Sequence, residues 1–137
     1  MNMGEQFKYS YEYMSMILTE YFKGQYPGKD LSFKLDRTQY RADSDFYYFV
    51  GTLTIYERTS ALGRDVTFNH SYSYDDREMK DLIKQIFNGR LKREGNDLGV
   101  FAVNAEDTYM YVEVCTKERL DNFNRSIEIA RKQMIYN

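Results

Sequence analysis

Between residues 5 and 23, Phe7, Tyr11, Met14, Leu18, Tyr21 and Phe22 recur three or four positions apart, the spacing that lines one face of a helix. Tyr9, Tyr13, Met16 and Ile17 widen that stripe, so this helix is expected to meet neighbours on two sides. Gly24 and the Pro27-Gly28 pair close it. The period then falls to two: Leu31, Phe33 and Leu35 alternate with Ser32, Lys34 and Asp36, which predicts a strand with one wet face. A turn at Asp43-Ser44-Asp45 leads into residues 46–57, rich in aromatic and β-branched side chains and apolar on both faces at the start, as befits a central strand. Residues 60–64, with Gly63, read as a hairpin loop. Val66, Phe68, His70, Tyr72 and Tyr74 then alternate with Thr67, Asn69, Ser71 and Ser73, giving a third strand with a clear inner face.

Asp75 followed by Glu78 has the spacing of a capping box and marks the start of a second helix. Met79, Leu82, Ile83, Ile86 and Phe87 form its apolar face, and Gly89 is placed to end it. A basic, glycine-containing loop over residues 90–99 precedes two apolar stretches, 100–105 and 108–115. With Glu106-Asp107 between them, these predict a second hairpin that joins the first sheet. Leu120, Phe123, Ile127, Ala130 and Met134 predict a C-terminal helix with Arg125, Arg131 and Lys132 on its other faces. The order is αβββαββα. Strands in runs, without strict βα alternation, predict a single α+β domain over residues 1–137. Its antiparallel sheet carries the helices mostly packed on one face, above one core.

Composition agrees with one ordered domain, since 137 residues suffice for one core and the chain holds a single proline and no low-complexity tract. No apolar run reaches the length of a membrane span, and the first residues, Met-Asn-Met-Gly-Glu-Gln, lack the basic patch and apolar stretch of a secretory signal. The expected location is cytoplasmic, with no membrane partner. The lone Cys115 has no cysteine to pair with, which fits a reducing compartment. A net charge of -2, with basic residues scattered among acidic ones, disfavours generic binding to nucleic-acid backbones. The outlying feature is the 14 Tyr and 9 Phe, side chains that serve cores, sheet faces and interfaces equally.

Few residues suggest chemistry. A nucleophilic mechanism needs a base near its nucleophile, and His70 is the only histidine. By alternation it shares a face with Phe68 and Tyr72, which reads as a packed histidine; proton transfer beside Tyr72 or Tyr74 is the catalytic alternative. Cys115 has the parity of Tyr109 and Tyr111 on a predicted strand and reads as a buried, inert thiol. Asp43, Asp45, Asp75, Asp76, Glu106 and Asp107 sit at turns and a helix start, where local hydrogen bonding wants them. Only a meeting of the Asp75-Asp76 and Glu106-Asp107 pairs at one end of the sheet would hold a divalent ion. Gly89, Gly95 and Gly99 lack phosphate-loop spacing. No catalytic residue, metal or cofactor is therefore assigned.

Binding is the reading left. Tyr47, Tyr48, Tyr56, Tyr72 and Tyr74 offer aromatic surface that would stack bases or anchor a protein, and Arg90, Lys92 and Arg93 offer charge. The opening order αβββα is also that of a double-stranded-RNA-binding domain. Such domains place lysines at the start of the second helix, where this chain has Asp75-Asp76-Arg77-Glu78, which repels phosphate. The leading expectation is a non-enzymatic protein that binds another protein, an inhibitor or adaptor, through Tyr47, Tyr48, Tyr56, Tyr72, Tyr74, Asp75, Asp76, Arg90, Lys92 and Arg93. In size, acidity and lack of catalytic motifs the chain has the general character of inhibitors carried by phages and mobile elements, the anti-CRISPR proteins among them. The alternatives are a single-stranded nucleic-acid binder that uses the sheet tyrosines, and a small enzyme that uses His70 with a tyrosine.

Overall fold

Ser10 divides the N-terminal pattern into two elements in the computed structural model, which describes residues 5–42 and 45–136. Its hydroxyl accepts the Tyr13 N–H and caps α1, Tyr11–Gln25, while the residues before the helix form β1, Glu5–Ser10. The single helix expected from residue 5 is thus corrected. Phe7 and Tyr9 alternate with Gln6 and Lys8, and that stretch pairs antiparallel with a strand about a hundred residues away, which local spacing cannot reveal.

The remaining elements are β2, Asp30–Gln39; β3, Tyr47–Ala61; β4, Arg64–Tyr74; α2, Asp76–Arg93; β5, Leu98–Ala105; β6, Tyr109–Thr116; and α3, Lys117–Tyr136. The order is βαβββαββα, and Asp43 of the expected turn lies outside the described residues. The class is α+β, but the strands form two three-stranded antiparallel sheets, β1-β6-β5 and β2-β3-β4, where one sheet was expected. The β5–β6 hairpin finds its third strand in β1, so it has no need of β2–β4.

The two sheets share one core. α1 contributes Tyr11, Met14, Leu18 and Phe22; α2 contributes Met79, Ile83 and Phe87; β2, β3, β5 and β6 supply the opposing side chains. Gly51 on β3 lets α2 approach the sheet, because a Cβ there would stand 2.4 Å from the Met79 sulfur and 2.7 Å from the Phe33 ring. The expected capping box at Asp75 and Glu78 is present. Gly89 does not end α2, since Leu91, one turn beyond Phe87, still packs against the core and holds the helix through it. Gly95 ends it, with φ 73°, its N–H donating to Lys92 O and the Asn96 N–H to Leu91 O, the paired bonds of a Schellman cap. α3 corrects a further expectation. It sits on the face of the β1-β6-β5 sheet away from the core, with Leu120 against Gly99 and Phe123 against Phe101, and with Cys115 buried beneath. No helix among the described residues is long and apolar enough to cross a membrane.

α1 also serves as a neighbour to β2, an outer strand of its sheet. Thr19 Oγ1 accepts the Phe33 N–H at 2.9 Å and Ser15 Oγ accepts the Leu35 N–H at 2.8 Å, while the same hydroxyls donate back to the carbonyls one turn earlier in the helix. This is the second side on which the wide stripe of α1 finds contact. At the start of the helix, the buried Tyr11 hydroxyl donates to the Glu106 carbonyl and accepts the Glu106 N–H at 3.0 Å, tying α1 to the β5–β6 turn. Arg37 lies over the Tyr11 ring and reaches Asp107 at 3.5 Å.

Two outcomes test these joints. Thr19→Val keeps the shape but leaves the Phe33 N–H without its acceptor, so urea unfolding should show a loss of about 1–3 kcal/mol. A loss below about 0.5 kcal/mol, as at an exposed site, would mean that water serves this edge as well as the hydroxyl does. For Tyr11, burial pushes the phenol from 10.0 up to about 12. The folded chain therefore keeps a proton that the unfolded chain has released. The corresponding stability is whole below about pH 10 and is lost as pH rises toward about 12. In urea titrations over that range, Tyr11→Phe should lose stability less steeply with pH than the wild type. Parallel slopes would sink this account.

Candidate protein-binding surface

β2 pairs with β3 only as far as Asp30 opposite Tyr56, whereas β4 follows β3 to its end. Beyond Tyr56 the sheet is thus reduced to two strands, an arm of five residue pairs from Glu57 opposite Phe68 to Ala61 opposite Arg64. Such an arm extends about 17 Å at the usual rise of a strand. Its tip is the two-residue turn Leu62-Gly63, in which both residues have positive φ, 53° and 76°, the type I′ geometry that matches strand twist. A left-handed leucine costs about 1 kcal/mol, and Leu62 stands fully exposed.

Val66, Phe68, His70, Tyr72 and Tyr74 share one face, as alternation predicts, but that face is largely uncovered. Phe68 and Tyr72 are each 51% exposed. The expectation of a packed inner face fails because β4 is the outer strand, with no further strand beside Tyr72, and because the core side chains of β3 end at Ile55, opposite His70, while β4 continues outward. Tyr74, at the end of the strand, is the exception: its ring lies 5.8 Å from Phe22 and 5.7 Å from Phe33, and burial raises its phenol above the ordinary range. His70 is half exposed, its Nε2 3.6 Å from Glu57, so it is not the packed histidine the pattern predicts.

The outer edge of β4 is open. A two-residue turn makes its flanking pair, Ala61 and Arg64, hydrogen-bonded, and bonded pairs alternate along an antiparallel ladder. The backbone groups of Asp65, Thr67, Asn69, Ser71 and Ser73 therefore point away from β3, and among the described residues no hydrogen bond reaches them. The other outer strands differ. β2 is served by Ser15 and Thr19, β5 by Asn88, whose Oδ1 accepts the Val100 N–H at 2.8 Å, and β1 is six residues long and carries Glu5 and Lys8. β4 has eleven residues, no bulge against β3, and no Asp, Glu, Lys or Arg between Val66 and Tyr74. Proteins ordinarily blunt such an edge.

The structure divides the residues that the sequence singles out. Tyr72 and Tyr74 lie on the same face of β4 as Phe68 but in the three-stranded part of the sheet, opposite Leu53 and Gly51; Tyr47, on the same face, is half-buried against the core. Tyr48 and Tyr56 point to the opposite face, Tyr48 exposed and the Tyr56 hydroxyl 3.4 Å from Ser32 Oγ. Asp75 caps α2. Asp76 accepts the Phe49 N–H at 2.8 Å and pairs with Lys80 at 2.9 Å, so both carry structural bonds. Arg90, Lys92 and Arg93 belong to the last turn of α2 and not to a loop, with Arg90 over the Phe87 ring. They follow Asp76 by fourteen to seventeen residues, about 21–26 Å along the helix axis. The Asp75-Asp76 and Glu106-Asp107 pairs are engaged separately, and no metal-binding group of His, Cys, Asp and Glu occurs among the described residues. Leu62 and the β4 edge were missed. The length of strand pattern beyond the partner strand's pattern was their signal. Comparison with protein families, curated proteins and solved structures finds no match for this chain.

If this face of β4 is surface, Phe68→Ser and Tyr72→Ser should each cost about 1 kcal/mol or less, and Tyr74→Ala at least about 2 kcal/mol. Thermal or urea unfolding of the three variants decides this. Equal losses at all three positions would mean that the whole face belongs to the core.

Proposed function

We propose that the chain is a non-enzymatic adaptor or inhibitor that binds another protein by strand addition to the outer edge of β4. The observation that carries this reading is the contrast among the outer strands: three are sealed, short or charged, and the longest is bare on its edge. An incoming extended segment would bond to the backbone of Thr67, Asn69, Ser71 and Ser73. Its alternate side chains would lie beside Phe68 and Tyr72, gaining affinity from the backbone and selectivity from the aromatic face. Leu62 would meet the partner beyond the strand's end. The split of Tyr72 and Tyr74 from Tyr48 and Tyr56, with Arg90, Lys92 and Arg93 carried on the last turn of α2 and not on either sheet face, gives a base-stacking surface no single face with its own charge.

Affinity capture with the wild type and with Asn69→Pro, each with and without nuclease, tests the reading. Proline at 69 removes an outward N–H and no ladder bond, a position where edge strands tolerate it. The expected result is a stoichiometric, nuclease-resistant protein held by the wild type and lost with Asn69→Pro and with Phe68→Ser. A protein captured equally by all three would overturn strand addition, and material released by nuclease would overturn protein binding.

A further inference from the structure

α3 begins on the domain and leaves it. Leu120 and Phe123 rest on the β1-β6-β5 sheet: Leu120 comes within 2.8 Å of where a Cβ on Gly99 would stand, and the Phe123 ring meets Phe101 edge-on at 4.9 Å. Beyond them Ile127 and Ala130 continue the stripe, and every residue from 121 to 133 is exposed among the described residues. Steps of three, four and three from Leu120 to Ala130 make the narrow seam by which one helix packs on another, unlike the wider face a helix lays on a sheet. A helical stretch of this length without packing is marginal in water, so the distal half needs a partner.

Beside this helix lies a cleft of about 480 Å³ between α3 and the sheet, apolar along Phe101, Val114, Cys115 and Phe123, with Glu5 and Glu113 set against the single Arg119. The distal half of α3 carries Arg131 and Lys132 against the single Glu128, which lies 4.0 Å from Lys132. Seam, charge and cleft are thus complementary within one chain. We infer that two copies associate about a two-fold axis near Ile127, their α3 helices antiparallel, the distal half of each lying along the cleft of the other. The antiparallel sense follows from the cleft's place, because it adjoins the first half of α3, and only that sense brings the partner's basic half there. Positions flanking the seam oppose no like charges, since Asn124 faces Arg131 of the partner subunit and Ser126 faces its own counterpart. The inference stands apart from the β4 edge, and its consequence is a particle with two such edges, which multiplies the hold on any partner that offers two sites.

Sedimentation velocity of the full chain at rising concentration tests it, with far-UV circular dichroism to check folding. The wild type and Ile129→Asp, an exposed but off-seam change, should be dimers, and Ile127→Asp a monomer with its fold intact. Arg131→Glu should weaken association, and Glu113→Arg in the same chain should restore it. A wild type that stays monomeric at the highest concentration overturns the inference. So does a dimer that survives Ile127→Asp and is lost with Asn69→Pro, which would place the contact at β4, and so does equal loss with Ile127→Asp and Ile129→Asp.

Discussion

Ser15 and Thr19 give β2 the hydrogen bonds that a further strand would have given, and much of the fold follows from that substitution. An outer strand in contact with a helix ordinarily leaves its backbone groups to water, and burying them without partners is costly. With each hydroxyl accepting a strand N–H and donating to its own helix, α1 can lie against the edge of β2 and still present Tyr11, Met14, Leu18 and Phe22 to the core. Because α1 lies there, Tyr11 reaches the β5–β6 turn and brings the second sheet to the same core.

The close approach at Gly51 completes the arrangement on the other side. α2 sits down on β3, and the helix then supplies Asn88 to the edge of β5, so a second outer strand is served by a helical side chain. The core is thus built from two three-stranded sheets, each borrowing a helix both for cover and for backbone partners. The arm lies outside this economy of bonds. It is held by its own ladder, while the rings of Phe22, Phe33 and Tyr74 fix the far end of β4 to the core.

What could be read from the chain beforehand was what is local. The capping box at Asp75 and Glu78, the alternation in β2, the strand at β4, the central place of β3 and the helix at α3 all rest on neighbours within a few residues, and each is present. What could not be read depends on distant partners. Phe7 and Tyr9 fit a helical stripe as well as a strand until β6 is known to lie beside them. Gly89 reads as a stop until Leu91 is seen to pack. The tyrosines show the same limit: parity groups Tyr72 with Tyr74, but only the extent of the core decides that Tyr74 is held and Tyr72 is not.

The sealed edge of β2 has a last consequence for assembly. A sheet with two bare edges can be lengthened at both, and each addition offers the next a fresh site, the route to fibres. In the β2-β3-β4 sheet Ser15 and Thr19 close one side, so β4 can be satisfied once and growth by copies of this sheet stops there. A strand added at β4 would therefore end the sheet and not extend it, with the helix on the far side setting that limit.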